Sequence, residues 1–475
     1  MSVSRAILER VTSLVEHKGV VALGSGSVVA AASLWVSGRP GVAVYSGVAT
    51  ACVLGAGLMW LAWRRGLSEI GGVLLIFPVV FAFAFGIGGV GHPREYLGIR
   101  VSDGMYILAI AGLLSWVLGV ALASRRLPGT RVTNIPVPSK PLVFSLCVVG
   151  AVACAITAVN LATGSVPLLA GDVNEARFSG RLGALSSLAA PATAGLQVCA
   201  IASMLFIVSP CRLTSRVLSG VAAAGALGVL SLTGSRAFVL LPVAAVVLCL
   251  IERWRPPASA LVALGVGGLL LLGVVGQYRI ERSADVKYRE AALIQHGFGT
   301  SPVGVAWHSL QTGPRIAELV TRRVPRETPY QRGFFFIRDG AAMLPFESEP
   351  SDRWVTREIF RKPIESQGGT PPTIIGGFYI DFGVPGVLIG MVLCGWVLAT
   401  CRKLFLRAQS LPTYVAYGYV AAFFCLSIYS YVSFKTSLVA VLAICAVIST
   451  ITRFWPNLTA ALMRSLSRAE TSACI

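Results

Sequence analysis

Charge is almost excluded from long tracts of this chain, and that exclusion limits its fold more than any other feature. Twelve apolar runs are read at 19–37, 42–63, 70–90, 103–123, 141–163, 184–209, 217–233, 236–251, 258–276, 374–400, 413–431 and 435–452. Most are near the roughly 20 residues a helix needs to cross a bilayer, and two are shorter. Lipid offers a backbone no hydrogen-bond partner, so such runs are expected to be helices. Charged residues make up 13% of the chain and apolar residues 55%. A soluble protein carries about a quarter charged residues, so a soluble enzyme and a disordered chain are both excluded. The expected fold class is an all-α polytopic membrane protein, with about 12 transmembrane helices and a large helical extracytoplasmic loop. The expected division is a bundle of about nine spans over 1–276, a loop subdomain over 277–373, and three spans with a tail over 374–475.

The formal net charge of +19 would suggest nucleic acid in a soluble chain. Here the cations lie in the gaps between apolar runs, so they report orientation, and no nucleic-acid partner is expected. With a cytoplasmic N-terminus, nineteen Lys and Arg fall inside and seven outside, leaving the long loop aside. Both termini are therefore expected inside. The first nineteen residues carry Glu9 and Glu16 and do not read as a cleaved signal. Ile7, Leu8, Val11, Leu14 and Val15 share a helical face suited to the membrane surface. The tail after Trp455 has the same character. The eleven cysteines form no CxxC pair and no disulfide framework, and read as small apolar residues.

The long outward loop carries twelve arginines and two lysines against eleven acids. Guanidinium forks match phosphate oxygens, so this bias favours a phosphate-bearing ligand; a solvated mixed-charge surface is the plainer reading of any one arginine. Its helix signals are three. Ser283 caps a helix through Gln295, Pro314 opens one ending on Arg322 and Arg323, and a third follows Pro350 and ends near Arg361. The inner segments are short and hold no GxxxxGK[ST] loop, so no nucleotide is hydrolysed by this chain alone. An outward enzyme then needs substrates that arrive already activated, most simply on a lipid carrier. No HExxH or DxD occurs, and neither metal nor cofactor is expected.

Several residues stand out as site candidates. Arg236 follows Thr233-Gly234-Ser235 in a hairpin between two short apolar runs, where an ionisable group is costly and functional by default. Asp381 lies early in the tenth run and suits either a base or an ion pair. Lys435 opens the last run and reads as an interfacial anchor. The outward loop after the fifth run crowds Asp172, Glu175, Arg177 and Arg181 together, as half of a phosphate site or as an ordinary polar turn. His296 and His308, in the long loop, are candidate bases for a sugar hydroxyl.

The hairpin Thr233–Arg236, the large outward loop and the segment from Gly369 to Gly383 together resemble the Wzy-type oligosaccharide repeat-unit polymerases, which are similar in plan to the O-antigen ligases. The resemblance implies a glycosyltransferase of polysaccharide biosynthesis in the inner membrane of a bacterial cell envelope. Its donor would be a growing glycan on undecaprenyl diphosphate, and its acceptor a repeat unit on a second undecaprenyl diphosphate, with a chain-length regulator as a candidate partner. No metal is implied. Arg236 would stabilise the leaving diphosphate, with Arg177, Arg181, Arg279, Arg282, Arg289 and Arg357 as binding candidates. His308, His296, Asp381 and Glu175 are the candidate bases, in no fixed order. Some relatives carry Arg-x10-Gly in two outward loops. Arg357 and Gly368 have that spacing, but the loop at 171–183 does not. Three other readings stand beside this one: a ligase moving finished polymer, a transferase using polyprenyl-phosphate sugars, and a lipid-linked glycan transporter. The last predicts charges within several spans, which this chain lacks.

Overall fold

The structure, a computed structural model, describes residues 72–85, 99, 101–124, 139–164, 166, 188–209, 212–233, 235–253, 301–341, 349–361, 370–408, 410–432 and 435–473, with a few positions between 267 and 278. The expected spans at 19–37 and 42–63 and the surface helix before them lie outside the described residues. So do the Ser283–Gln295 helix and most of the run at 258–276.

Among the described residues every regular element is helical, as lipid requires of a spanning backbone. The bundle contains α1 (Gly72–Phe85), α2 (Asp103–Ser124), α3 (Lys140–Thr163), α4 (Ala189–Ile207), α5 (Leu213–Leu232) and α6 (Arg236–Arg253). After the loop come α10 (Thr373–Ala408), α11 (Leu411–Ser427) and α12 (Thr436–Ala473). Six of these, α2, α3, α4, α5, α10 and α12, contain stretches long and apolar enough to cross a membrane, while α6 and α11 are apolar but shorter. The chain is an α-helical membrane protein.

Small residues decide how closely these helices approach. A Cβ on Gly119 of α2 would strike the Val392 carbonyl of α10, and one on Gly395 of α10 would strike the Trp116 carbonyl of α2. The two backbones therefore touch, which only glycine permits. In lipid such contact is the main source of association, because apolar surface gains nothing by leaving a solvent equally apolar. Ala153, Ala192, Ala200 and Ala226 do similar service between α3, α4 and α5. Of the described cysteines, Cys249, Cys394 and Cys445 are buried as expected, Cys199, Cys401 and Cys425 are partly buried, and Cys147 and Cys154 are exposed on α3.

α10 is not straight. Gly383 takes φ 65° and ψ −146°, and Pro385 follows. Proline removes a helical N–H and crowds the preceding turn, so Gly-x-Pro breaks the helix where a positive φ is needed.

One end of the bundle carries the loop subdomain and will be called the loop end. The far end is closed by a buried ion pair. Arg402 of α10 meets Glu252 of α6 at 3.1 Å, with side chains 2% and 1% exposed, and the Tyr417 hydroxyl of α11 donates to the same carboxylate at 2.8 Å. Midway, Gln197 of α4 donates to the Phe238 carbonyl of α6 and accepts from the Tyr419 hydroxyl of α11. Each of these groups would be costly in lipid without a partner.

The described part of the loop folds as α7 (Pro302–Arg323), α8 (Phe334–Ala341) and α9 (Ser351–Trp354), the last running on as a π-helical turn through Val355–Ile359. Pro314 does not open a helix, contrary to the sequence reading. Ser301 is the cap, its hydroxyl accepting from the Gly304 N–H, and Pro302 takes the first turn, where proline is tolerated. The helix still ends on Arg322 and Arg323. The helix after Pro350 also forms, and its π-helical turn stops at Ile359, short of Arg361.

Candidate functional site

The subdomain sits on the loop end through a small core of its own. Ile316, Val320 and Val324 pack with Phe335, Trp354, Val355 and Ile359, and the bundle contributes Ile380 and Tyr431. α8 and α9 are too short to persist as isolated helices. Carboxylates from neighbouring elements hold their N-termini. Asp381 of α10, 2% exposed, accepts from the backbone N–H groups of Gly333 at 2.9 Å, Phe335 at 3.0 Å and Phe336 at 3.1 Å, and from the Tyr431 hydroxyl at 3.3 Å. A negative charge there meets the positive end of the α8 dipole and several otherwise unpaired donors. Asp339, within α8, then accepts from the Ser351 N–H at 2.8 Å and so caps α9. The bundle thus orders α8, and α8 orders α9.

A second joint ties α7 to α2. The buried Glu318 accepts from the Ser102 N–H at 3.0 Å, the Ser102 hydroxyl at 2.7 Å and Arg322 Nε at 2.6 Å. Ser102 in turn accepts from the Met105 N–H at the head of α2.

Between subdomain and bundle lies a seam of ionisable groups. Lys435, at the head of α12, is half-buried and faces both Asp339 and Asp352. Burial, followed by the like charge of Asp339, pushes the Asp352 carboxyl above its ordinary range. The Arg353 N–H and the cations of Lys435 and Arg353 oppose that rise. A partly desolvated carboxyl with a raised affinity for protons is a stronger base, once ionised, than an ordinary aspartate. Such groups mark functional sites more often than chance, although structural networks shift them too.

The loop arginines can now be sorted. Arg315 is buried. Arg322 is spent on Glu318, and Arg323 donates to the Ile359 carbonyl at 2.6 Å. Arg338 lies over the Phe334 and Trp354 rings, 4.9 and 5.5 Å from their centroids. Arg357, a sequence candidate for phosphate, pairs with Glu349 and Glu358, each at 3.0 Å. Arg361 pairs with Glu327 at 2.6 Å. Among the described residues, Arg326, Arg332 and Arg353 make no ion pair. The arginine bias of the loop favoured a phosphate ligand, with a solvated surface as the plainer reading of any one; six of these nine are committed to the subdomain itself.

Among the described residues no arginine pairs with Asp381, whose oxygens accept from backbone donors and Tyr431. Arg236 opens α6, and because Glu252 near the other end of that helix is at the far end, Arg236 belongs to the loop end. His308 lies on α7. The side chains of both fall outside the described residues, as do His296, Glu175, Arg177, Arg181, Arg279, Arg282 and Arg289 entirely. No group of three metal-ligating side chains occurs among the described residues. The sequence reading passed over Asp339 and Asp352 and gave Lys435 a merely interfacial role. The one local hint was Pro350-Ser351-Asp352, a helix start with an acid in its first turn. No family model matches this chain, and neither a curated protein nor a solved structure is significantly similar to it.

Proposed function

We propose that this chain is a membrane glycosyltransferase that polymerises oligosaccharide repeat units carried on undecaprenyl diphosphate, working at the seam between its loop subdomain and its bundle. In this reading it lies in a bacterial cytoplasmic membrane with twelve spans, both termini cytoplasmic and the subdomain outside. The observation that carries the reading is the seam itself. An arginine-bearing subdomain is fastened to the loop end of the bundle, and Asp352, a carboxyl whose proton affinity is raised by burial, belongs to the seam with Lys435 and Arg353. A hydroxyl attacking a lipid-linked sugar must lose a proton, and the departing diphosphate must have its charge stabilised. Asp352 suits the first task, and the loop-end cations, with Arg236 among them, suit the second. His308, His296 and Glu175 remain alternative bases in this scheme.

The test is the length profile of lipid-linked and surface glycans, by gel and mass spectrometry. It compares wild type, a deletion strain, Arg236→Ala and Asp352→Asn at equal expression. Single repeat units in place of a ladder in all three mutants are the expected result. Long polymer accumulating on the carrier would make the chain a ligase. Unchanged glycans after deletion would overturn both readings.

A further inference from the structure

The subdomain exposes an apolar face that the seam chemistry does not use. Phe334 and Ile337, one turn apart on α8, are each 47% exposed, while their neighbours Phe335 and Arg338 are buried. Tyr330 precedes them at 36% exposure. This face joins the bundle without a break. The Phe382 ring lies 3.4 Å from the position a Cβ would take on Gly333, and the Tyr330 hydroxyl lies 2.7 Å from that position on Gly383. Phe382 and Val384 are themselves about half exposed at the kink. The Phe382 side chain abuts Gly386, and one turn further Ile389, Leu393, Trp396 and Leu404 continue an exposed apolar stripe along α10. A stripe of that length on a spanning helix faces acyl chains. The α8 face is therefore an extension of the lipid-facing surface.

Two cations lie in the segment that leads into this face. Arg326 and Arg332 are exposed and lack an ion partner among the described residues, and Arg332 is held at φ 52° in the turn that leads into α8. Aromatic and aliphatic side chains on one face with arginines at the rim are the composition of a segment lying in the headgroup layer.

We propose that α8 and the turn before it form a membrane-docking surface, with Phe334 and Ile337 in the acyl boundary and Arg326 and Arg332 on the phosphates of anionic phospholipids. The proposal stands whether or not the chain is a polymerase. The test uses the full-length protein in nanodiscs containing phosphatidylglycerol or phosphatidylcholine with a photoreactive group on the acyl chain, followed by peptide mapping. Labelling is expected on the segment 333–338, with phosphatidylglycerol favoured by roughly fivefold or more, given what one cation near an anionic surface contributes. Arg326→Gln with Arg332→Gln should abolish the preference, and the corresponding pair of lysine substitutions should keep it. Excess inorganic phosphate should leave it unchanged. Labelling confined to the spans would overturn the proposal. So would a preference unaffected by the glutamine variant, displacement by free phosphate, or protein–protein crosslinks through Phe334 that mark a second copy as the occupant.

Discussion

The two ends of the bundle bury charge in different ways. At the far end, Arg402 and Glu252 satisfy each other, and Tyr417 completes the carboxylate. Nothing there is left over for a ligand. At the loop end, Asp381 is satisfied by backbone donors, while Asp339 and Asp352 share a partly exposed seam with the cations of Lys435 and Arg353. A closed pair works as a clamp. A cluster of several ionisable groups that is partly exposed keeps the capacity to exchange protons and bind. The same residue types thus serve as fastener at one end and as candidate chemistry at the other, and the difference lies in access.

The strongest way to break this contrast is Arg402→Met. It strands a buried carboxylate, and the expected loss is about 3–5 kcal/mol, measured by unfolding in mixed micelles. Adding Glu252→Met to it should recover much of that loss; if the single variant melts like wild type, the far end is no clamp. Next comes Asp381→Ala, which frees three buried or partly buried N–H groups and the Tyr431 hydroxyl. A cost of about 2 kcal/mol or more is expected, concentrated in the subdomain. Faster tryptic cleavage after Arg326 and Arg332 would register it, and unchanged cleavage would contradict the capping role.

Lys435→Met tests the seam. The Asp352 carboxyl is raised in the folded protein, so the folded state holds more protons than the unfolded one between the two pKa values. Stability from this group is therefore full at low pH and is lost as pH rises through the folded value. Removing Lys435 takes away a cation that opposes the rise. The variant's stability should therefore fall more steeply than the wild type's as pH rises above the ordinary aspartate range, read as the change in melting point across a pH series. A deficit independent of pH would assign Lys435 to packing alone. The smallest effect is expected from Arg361→Ala, because its pair with Glu327 is 66% and 42% exposed. Exposed pairs contribute roughly 0–1 kcal/mol, and a melt shift beyond that range would show the subdomain surface to be more ordered than the seam.

The helices of the bundle were legible in sequence because lipid imposes a rule on consecutive residues: a run of sufficient length without charge must be helical. α2, α3 and α10 follow it closely. The joints were harder to read. Glu252 and Arg402 are 150 positions apart, and each looks locally like an ordinary loop-flanking charge. Asp381 did stand out, but its partner is the N-terminus of a helix, which no residue type announces. Pro314 misled because proline marks a first turn only by preference, and Ser301-Pro302 supplied a better start. The seam was missed because an acid in a solvated loop and one beneath a folded subdomain are the same letter.

The contact between Gly119 and Gly395 reaches further than its position suggests. α2 carries the Ser102 joint at its head and α10 carries Asp381, so both of the subdomain's polar moorings belong to helices pressed backbone to backbone. The pair behaves as a single mast. A methyl group added at Gly119 lies about 25 Å along the helix from Ser102, yet it would tilt one mooring against the other. The subdomain's registration on the bundle is thus set from near the opposite end, by two positions that carry no side chain.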